Sequence, residues 1–212
     1  MIHYGLGAHT DTSKPSITKA TLSKKGKIVE KCSVCGSLKT TTVYVPKSIK
    51  LSATSFTYNG KAISPAVTVK DSKGNVLKNG TDYTVAYSSG RTNPGSYVAK
   101  VTFKGKYSGV KRITFTIKPS TPTITAVAST SKGRVAVAWK NVVGETGYQV
   151  YYSTNKDSGY KAFMTSKADV VKVAKNGLTS GKTYYFKVRA YKTVSGTNIY
   201  SGWSAAKAIK IK

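Results

Sequence analysis

The chain has 212 residues and carries 35 Lys and Arg against only 7 Asp and Glu, a formal charge of +28. That length suits two small sandwich-sized domains, and no run of eighteen apolar residues is present to span a bilayer as a helix. The few carboxylates fall mostly in or beside turn sequences, and neither His3 nor His9 stands next to a plausible Ser or Cys nucleophile, so the sequence reads as non-enzymatic.

The aliphatic positions favour Val, Ile and Thr, the aromatics are mostly Tyr, and Gly is frequent, a vocabulary of strands and tight turns. No stretch shows a capped i, i+3, i+4 apolar pattern. The expected class is all-β: two tandem immunoglobulin-like β-sandwiches with a small N-terminal β-hairpin. Only Arg91, Arg112, Arg134 and Arg189 among the cations are arginines, and the lysines are spread evenly along the chain. An even coat predicts diffuse attraction to polyanions rather than a shaped nucleic-acid groove. Met1–Ala8 lacks the basic start and apolar run of a secretion signal, so a secreted form would carry that signal on a longer parent.

Residues 1–45 are too few to build a core of their own. Lys27–Lys31 and Leu38–Val45 predict a hairpin around the turn Cys32-Ser-Val-Cys-Gly36. Cys32-x-x-Cys35-Gly36 has the spacing of a zinc-knuckle half-site, with two thiolates on one tight turn. His9 and His3 are the only candidates to complete a Cys2His2 zinc site. A knuckle without metal, or an oxidised cysteine pair, fits the same spacing.

Residues 46–119 predict a small all-β domain. Runs at Ser55–Tyr58, Ala66–Lys70, Tyr83–Tyr87, Tyr97–Phe103 and Arg112–Ile117 are separated by turn sequences such as Asn59-Gly60, Asp71-Ser-Lys-Gly74 and Asn79-Gly80. The phrases Tyr58-Asn-Gly-Lys61, Val67-Thr-Val-Lys-Asp71, Gly80-Thr-Asp-Tyr-Thr-Val85 and Phe103-Lys-Gly-Lys-Tyr-Ser-Gly109 resemble the bacterial immunoglobulin-like domains of Gram-positive surface proteins. Tyr58, Tyr83 and Tyr107 then read as core or corner tyrosines.

Residues 120–212 follow the stiff linker Pro119-Ser-Thr-Pro122. Val135, Val137 and Trp139 share one strand face, as do Tyr148, Val150 and Tyr152. In the last long strand Tyr184, Phe186, Val188 and Ala190 alternate with Tyr185, Lys187, Arg189 and Tyr191, giving an apolar and a charged side. With Leu178 six residues before Tyr184 across a Ser-Gly turn, this segment resembles a fibronectin type III domain and its tyrosine corner. Tyr200-Ser-Gly-Trp-Ser204 is similar to the Trp-Ser-x-Trp-Ser signature of cytokine-receptor type III domains without its first tryptophan. That resemblance implies Trp203 lying over Arg189 or Lys187. A sugar-stacking platform of Tyr191, Tyr200, Trp203 and Asn198 is the ligand-binding alternative.

The order of a Cys-x-x-Cys-Gly hairpin, an immunoglobulin-like domain and a type III domain resembles modular regions of surface or secreted proteins from Firmicutes. Such regions often begin with a Cys-x-x-His pair, and here Leu6 stands in the cysteine's place ahead of His9. The resemblance implies an extracellular or cell-surface, monomeric binding, adhesion or spacer module. Its expected partners are anionic cell-wall polymers or host-surface glycans and proteins, without membrane insertion. Loop-mediated binding of a protein or glycan receptor is the first alternative, and nucleic-acid binding through the basic surface the second.

Overall fold

In the computed structural model the described residues are 13–212, and they form seventeen strands and no helix. The all-β class follows from the sequence, because alternating apolar positions can be buried only by pairing and stacking strands. His3, His9 and Leu6 lie outside the described residues. The chain divides into two compact units: Met1–Ser52, Pro65–Tyr87 and Val98–Ile113 in one, Ala53–Ser64, Ser88–Tyr97 and Thr114–Lys212 in the other.

The first unit opens with a three-stranded antiparallel sheet of β1 (Ser16–Thr18), β2 (Gly26–Lys31) and β3 (Leu38–Val43). β2 and β3 are the two arms read from the sequence, in a register that sets Lys31 opposite Leu38. The short β1 is an addition: its three residues are all exposed, so no alternation marks them. Gly26 accounts for the close approach beside it, since a Cβ there would lie 2.2 Å from the Thr18 carbonyl oxygen.

Next come β4 (Pro46–Leu51), β5 (Ser55–Thr57), β6 (Val67–Asp71), β7 (Tyr83–Tyr87), β8 (Gly95–Phe103) and β9 (Val110–Lys118). β4 pairs antiparallel with β6, β7 antiparallel with β8, and β5 parallel with β9. β4 is not among the runs marked by the sequence; Pro46 sits at its first position, where a proline is tolerated. Ala20, Val43, Val69, Leu77, Tyr83, Val101, Phe103 and Tyr107 form the core of this unit. Tyr83 and Tyr107 are thus core tyrosines, and the Tyr83 hydroxyl donates to the Val67 carbonyl at 3.0 Å. Tyr58 is only half-buried.

The C-terminal segment contains β10 (Ile124–Ser131), β11 (Arg134–Trp139), β12 (Gly147–Ser153), β13 (Lys161–Lys167), β14 (Lys172–Lys175), β15 (Thr183–Val194), β16 (Thr197–Tyr200) and β17 (Lys207–Lys210). One sheet runs β10-β11-β14. The other runs β13-β12-β15-β16, with β17 also on β15. Val135, Val137, Trp139, Tyr148, Val150, Tyr184, Phe186, Val188 and Ala190 fill the space between them. The corner also forms: the Thr179 N–H donates to the Tyr184 hydroxyl at 3.2 Å, and Leu178 is buried beside it.

Trp139 meets Tyr148 edge-on at 5.3 Å between ring centres, and its indole Nε1 has no hydrogen-bond partner among the described residues. Tyr148 is fully buried; its hydroxyl donates to Asn141 Oδ1 and accepts from the Val142 N–H at 2.8 Å. Burial pushes this phenol up to about 12, and the neighbouring Glu145 and Asp169 carboxylates add to the rise.

Trp139→Ala is expected to lower the stability of the C-terminal segment by about 3–5 kcal/mol in denaturant unfolding. Trp139→Phe should cost less, because the indole N–H it removes is unsatisfied. A phenol held neutral above its unfolded value of about 10 stabilises the fold fully below that pH and loses its contribution as pH climbs towards about 12. Tyr148→Phe should therefore melt lower at pH 8 yet lose less melting temperature than the wild type between pH 10 and about 12.

Candidate functional site

β15 is the longest strand and pairs with three others, so its outward side chains form the centre of an exposed sheet face. Inward, Tyr184, Phe186, Val188 and Ala190 are 7%, 0%, 0% and 0% exposed. This inner burial fixes which residues must point out. Outward, Tyr185, Lys187, Arg189 and Tyr191 are half-buried.

Between β16 and β17 the segment Ser201-Gly-Trp-Ser204 runs beside β15 without joining the regular ladder. Its serines complete the bonding instead. The Ser201 and Ser204 N–H groups donate to the Ala190 and Val188 carbonyls, and their hydroxyls accept from the Ala190 and Val188 N–H groups at 2.9 and 3.0 Å. Both serines are buried by this pairing, and Trp203, half-buried between them in sequence, lies with the outward residues of β15.

There Trp203 meets two cations and a ring. Lys187 Nζ is 4.8 Å from its ring centre, Arg189 Cζ 4.5 Å, and the Tyr151 ring packs edge-on at 4.7 Å. Each cation also has a second ring: Tyr160 lies 3.8 Å from Lys187 Nζ, and Tyr200 lies 3.8 Å from Arg189 Cζ. The Arg189 Nε and Nη2 groups both donate to Gln149 Oε1, at 2.9 and 2.7 Å. The result is a row, Tyr160, Lys187, Trp203, Arg189, Tyr200, of alternating rings and cations. Contacts of this kind are worth about 0.5–2 kcal/mol each.

Of the four residues read as a ligand platform, Tyr191, Tyr200 and Asn198 meet at one end of this face, while Trp203 lies between Lys187 and Arg189. Tyr191 and Tyr200 are register partners with ring centres 6.2 Å apart. Asn198 is exposed, accepts from the Thr193 hydroxyl at 2.7 Å and donates to the Tyr200 hydroxyl at 3.3 Å. Trp203 over Arg189 and Lys187 is the arrangement that the sequence similarity implies. Tyr160 and Gln149 escaped sequence reasoning. Gln149 could have been found from its outward parity on β12, but Tyr160 stands outside any strand, where no periodicity exists to place it.

The second candidate site is the cysteine turn. Cys32 is buried and Cys35 exposed, both as free thiols. The Cys35 N–H donates to Cys32 Sγ at 3.4 Å, the Gly36 N–H to the Cys32 carbonyl at 3.0 Å, and Gly36 takes the left-handed φ of 69° that a glycine accommodates. The turn thus offers two sulfur donors to one ion. Four-coordinate zinc needs four, and among the described residues no group of three or more His, Cys, Asp or Glu converges. The Ser37 hydroxyl, 3.0 Å from Cys35 Sγ, leads a set of hydrogen bonds that lower this thiol to about 7.

No protein-family profile and no curated protein matches the chain. Solved structures similar to it include fibronectin type III domains. A fibronectin type III domain of a human protein is 19% identical, covering 43% of this chain and 73% of that one, with a TM-score of 0.37. An Fn3-like protein from Clostridium thermocellum is 25% identical over 41% of this chain and 88% of that one, with a TM-score of 0.34. The FN1-FN3 domains of chicken CNTN1 are 15% identical over 89% of this chain and 78% of that one, with a TM-score of 0.38.

In chelator-treated protein, iodoacetamide is expected to modify Cys35 before the buried Cys32, with a rate that rises through about pH 7. Mass spectrometry after a timed quench measures it. Adding zinc before the reagent should protect both thiols if the turn holds the ion, and unchanged labelling would count against zinc binding there.

Proposed function

We propose that the chain is a non-catalytic, extracellular binding and spacer region of a bacterial surface or secreted protein. Its Lys-rich coat holds it to anionic cell-wall or host-surface polymers. The three segments read from the sequence, 1–45, 46–119 and 120–212, are on this reading a hairpin, an immunoglobulin-like module and a type III module. No helix among the described residues is long and apolar enough to cross a membrane.

The observation that carries the reading is how the few acids are used. The Asp71 carboxylate accepts from the Lys73 and Asn75 backbone and from the Asn75 amide, closing its own turn. Asp82 accepts from the Lys78 N–H, Glu145 from the Asp169 N–H, and Asp169 from the Asn141 amide. These carboxylates are spent on backbone and amide donors. With every carboxylate already counted as charged the net charge is still +28, and a field of that sign draws in polyanions.

The grouping of Tyr191, Tyr200 and Asn198 favours a second reading, in which one end of the type III sheet binds a glycan or protein receptor. Such binding would depend far less on salt. On the first reading, Cys32 and Cys35 with His3 and His9 would form a zinc site that folds the N-terminal hairpin, which the zinc-protection arm of the alkylation experiment tests.

Retention of the chain on purified Gram-positive cell walls, followed by sedimentation across a salt series, is the test. Retention should fall steeply between about 0.05 and 0.5 M salt as screening shortens. Retention unchanged across that range would contradict the electrostatic reading and favour the second.

A further inference from the structure

We propose that a cavity in the first unit, bordered by Asp71, Asp82 and Tyr107, binds one neutral sugar ring of the hexopyranose class. The proposal does not draw on the polyanion reading above.

The cavity has a volume of about 300 Å³, enough for one small ligand, and every residue lining it belongs to that unit. Part of its wall is apolar. Ile28 and Val43 share one face of the N-terminal hairpin, and Leu77 joins them from the turn after β6. The rest is polar. Backbone and amide donors hold both carboxylates in place, with three hydrogen bonds on Asp71 and the Lys78 N–H on Asp82 Oδ2. Asp82 Oδ1 has no hydrogen-bond partner among the described residues.

Tyr107 is the group that points to a ligand. Its side chain is 4% exposed, yet its hydroxyl also lacks a hydrogen-bond partner among the described residues. A phenol buried to this degree normally finds one within the fold. Burial, followed by the Asp82 and Asp71 carboxylates, raises its pKa, so it keeps its proton and has it to donate.

The charges around the cavity work against a ligand of either sign. An anion would meet Asp71 and Asp82. A metal ion would find too few ligands, because among the described residues no three His, Cys, Asp or Glu converge. An ammonium ligand would meet lysines: Lys106 Nζ stands 5.6 Å from the Tyr107 ring centre, and Lys25 and Lys73 Nζ stand 5.4 and 5.5 Å from that of Tyr44, which also lines the cavity. A neutral molecule that donates and accepts satisfies the site. Asp82 Oδ1 accepts, while the Tyr107 hydroxyl and the Lys106 ammonium donate. A pyranose carries such hydroxyls around its rim and offers a C–H face to Ile28, Val43 and Leu77. An apolar ligand would leave the acid and the phenol unpaired, and an open-chain polyol would leave the apolar wall uncovered.

The experiment titrates the isotope-labelled full chain with the methyl glycosides of glucose, galactose, mannose and N-acetylglucosamine, at about 0.15 and 0.5 M salt. At least one should shift the Leu77, Lys106 and Tyr107 amide resonances saturably, with an affinity that changes less than about twofold between the two salts. No saturable shift with any of the four overturns the proposal, as does tighter binding of glucuronate, calcium or free lysine. Tyr107→Phe and Asp82→Asn should each weaken the best glycoside about fivefold or more. Tyr83→Phe removes a hydroxyl that bonds the Val67 carbonyl in the same core without lining the cavity, and should cost less than about twofold. Equal losses in all three overturn the proposal. Without sugar, Tyr107→Phe should melt no lower than the wild type, because the hydroxyl it removes is unpaired. A lower melting temperature would mean that the fold already uses that hydroxyl, and overturns the proposal.

Discussion

The alternation of β15 is the constraint on which the rest depends. One side of this strand is sealed by Phe186, Val188 and Ala190, none of them measurably exposed, so the opposite parity has no choice but the outer face. A slip of one residue would bury Lys187 and Arg189 and expose Phe186 and Val188. Burying those two charges without partners would cost far more than any surface contact could return. The core therefore sets the position of the surface row, and the row adds its own ring contacts without having to specify the fold.

Ser201 and Ser204 show how that surface is kept accessible. A regular strand at this edge would alternate about β15 and leave no place for a large indole to lie flat along the outward cations. The serine hydroxyls take the Ala190 and Val188 N–H groups while the adjoining backbone bonds the carbonyls. No amide of β15 is left unpaired there, and the loss of regular pairing costs little. The same sequence, Tyr200-Ser-Gly-Trp-Ser204, thus does two things: its small polar residues repair the ladder, and its tryptophan meets both cations.

Much of this was legible before the structure. The inner faces of β12 and β15 and the corner from Leu178 to Tyr184 all follow from parity and turn chemistry, because each is decided by local burial. β1, β4, β10, β13, β14, β16 and β17 are not among the runs that the sequence marks as strands. β1 has no buried residue, and β4 begins on a proline, so neither presents a clean alternation. In the site, Trp203 with Lys187 and Arg189 was foreseeable from the motif and the strand face. Tyr160 was not, since it reaches Lys187 from outside the strands, and such contacts depend on tertiary placement that no spacing encodes.

The charge has two levels of organisation on this account: a diffuse coat of mobile lysines, and one place where two cations are held still. Both need β15 to be the most firmly held strand of its sandwich, and amide hydrogen exchange across that strand tests this most directly. The Val188 and Ala190 amides, bonded to buried serine hydroxyls, should exchange only through global unfolding, as slowly as the Val150 amide of the adjoining β12. Exchange of Val188 and Ala190 at the rate of exposed loop amides would contradict the account, because a strand that opens locally could fix neither the core nor the row above it.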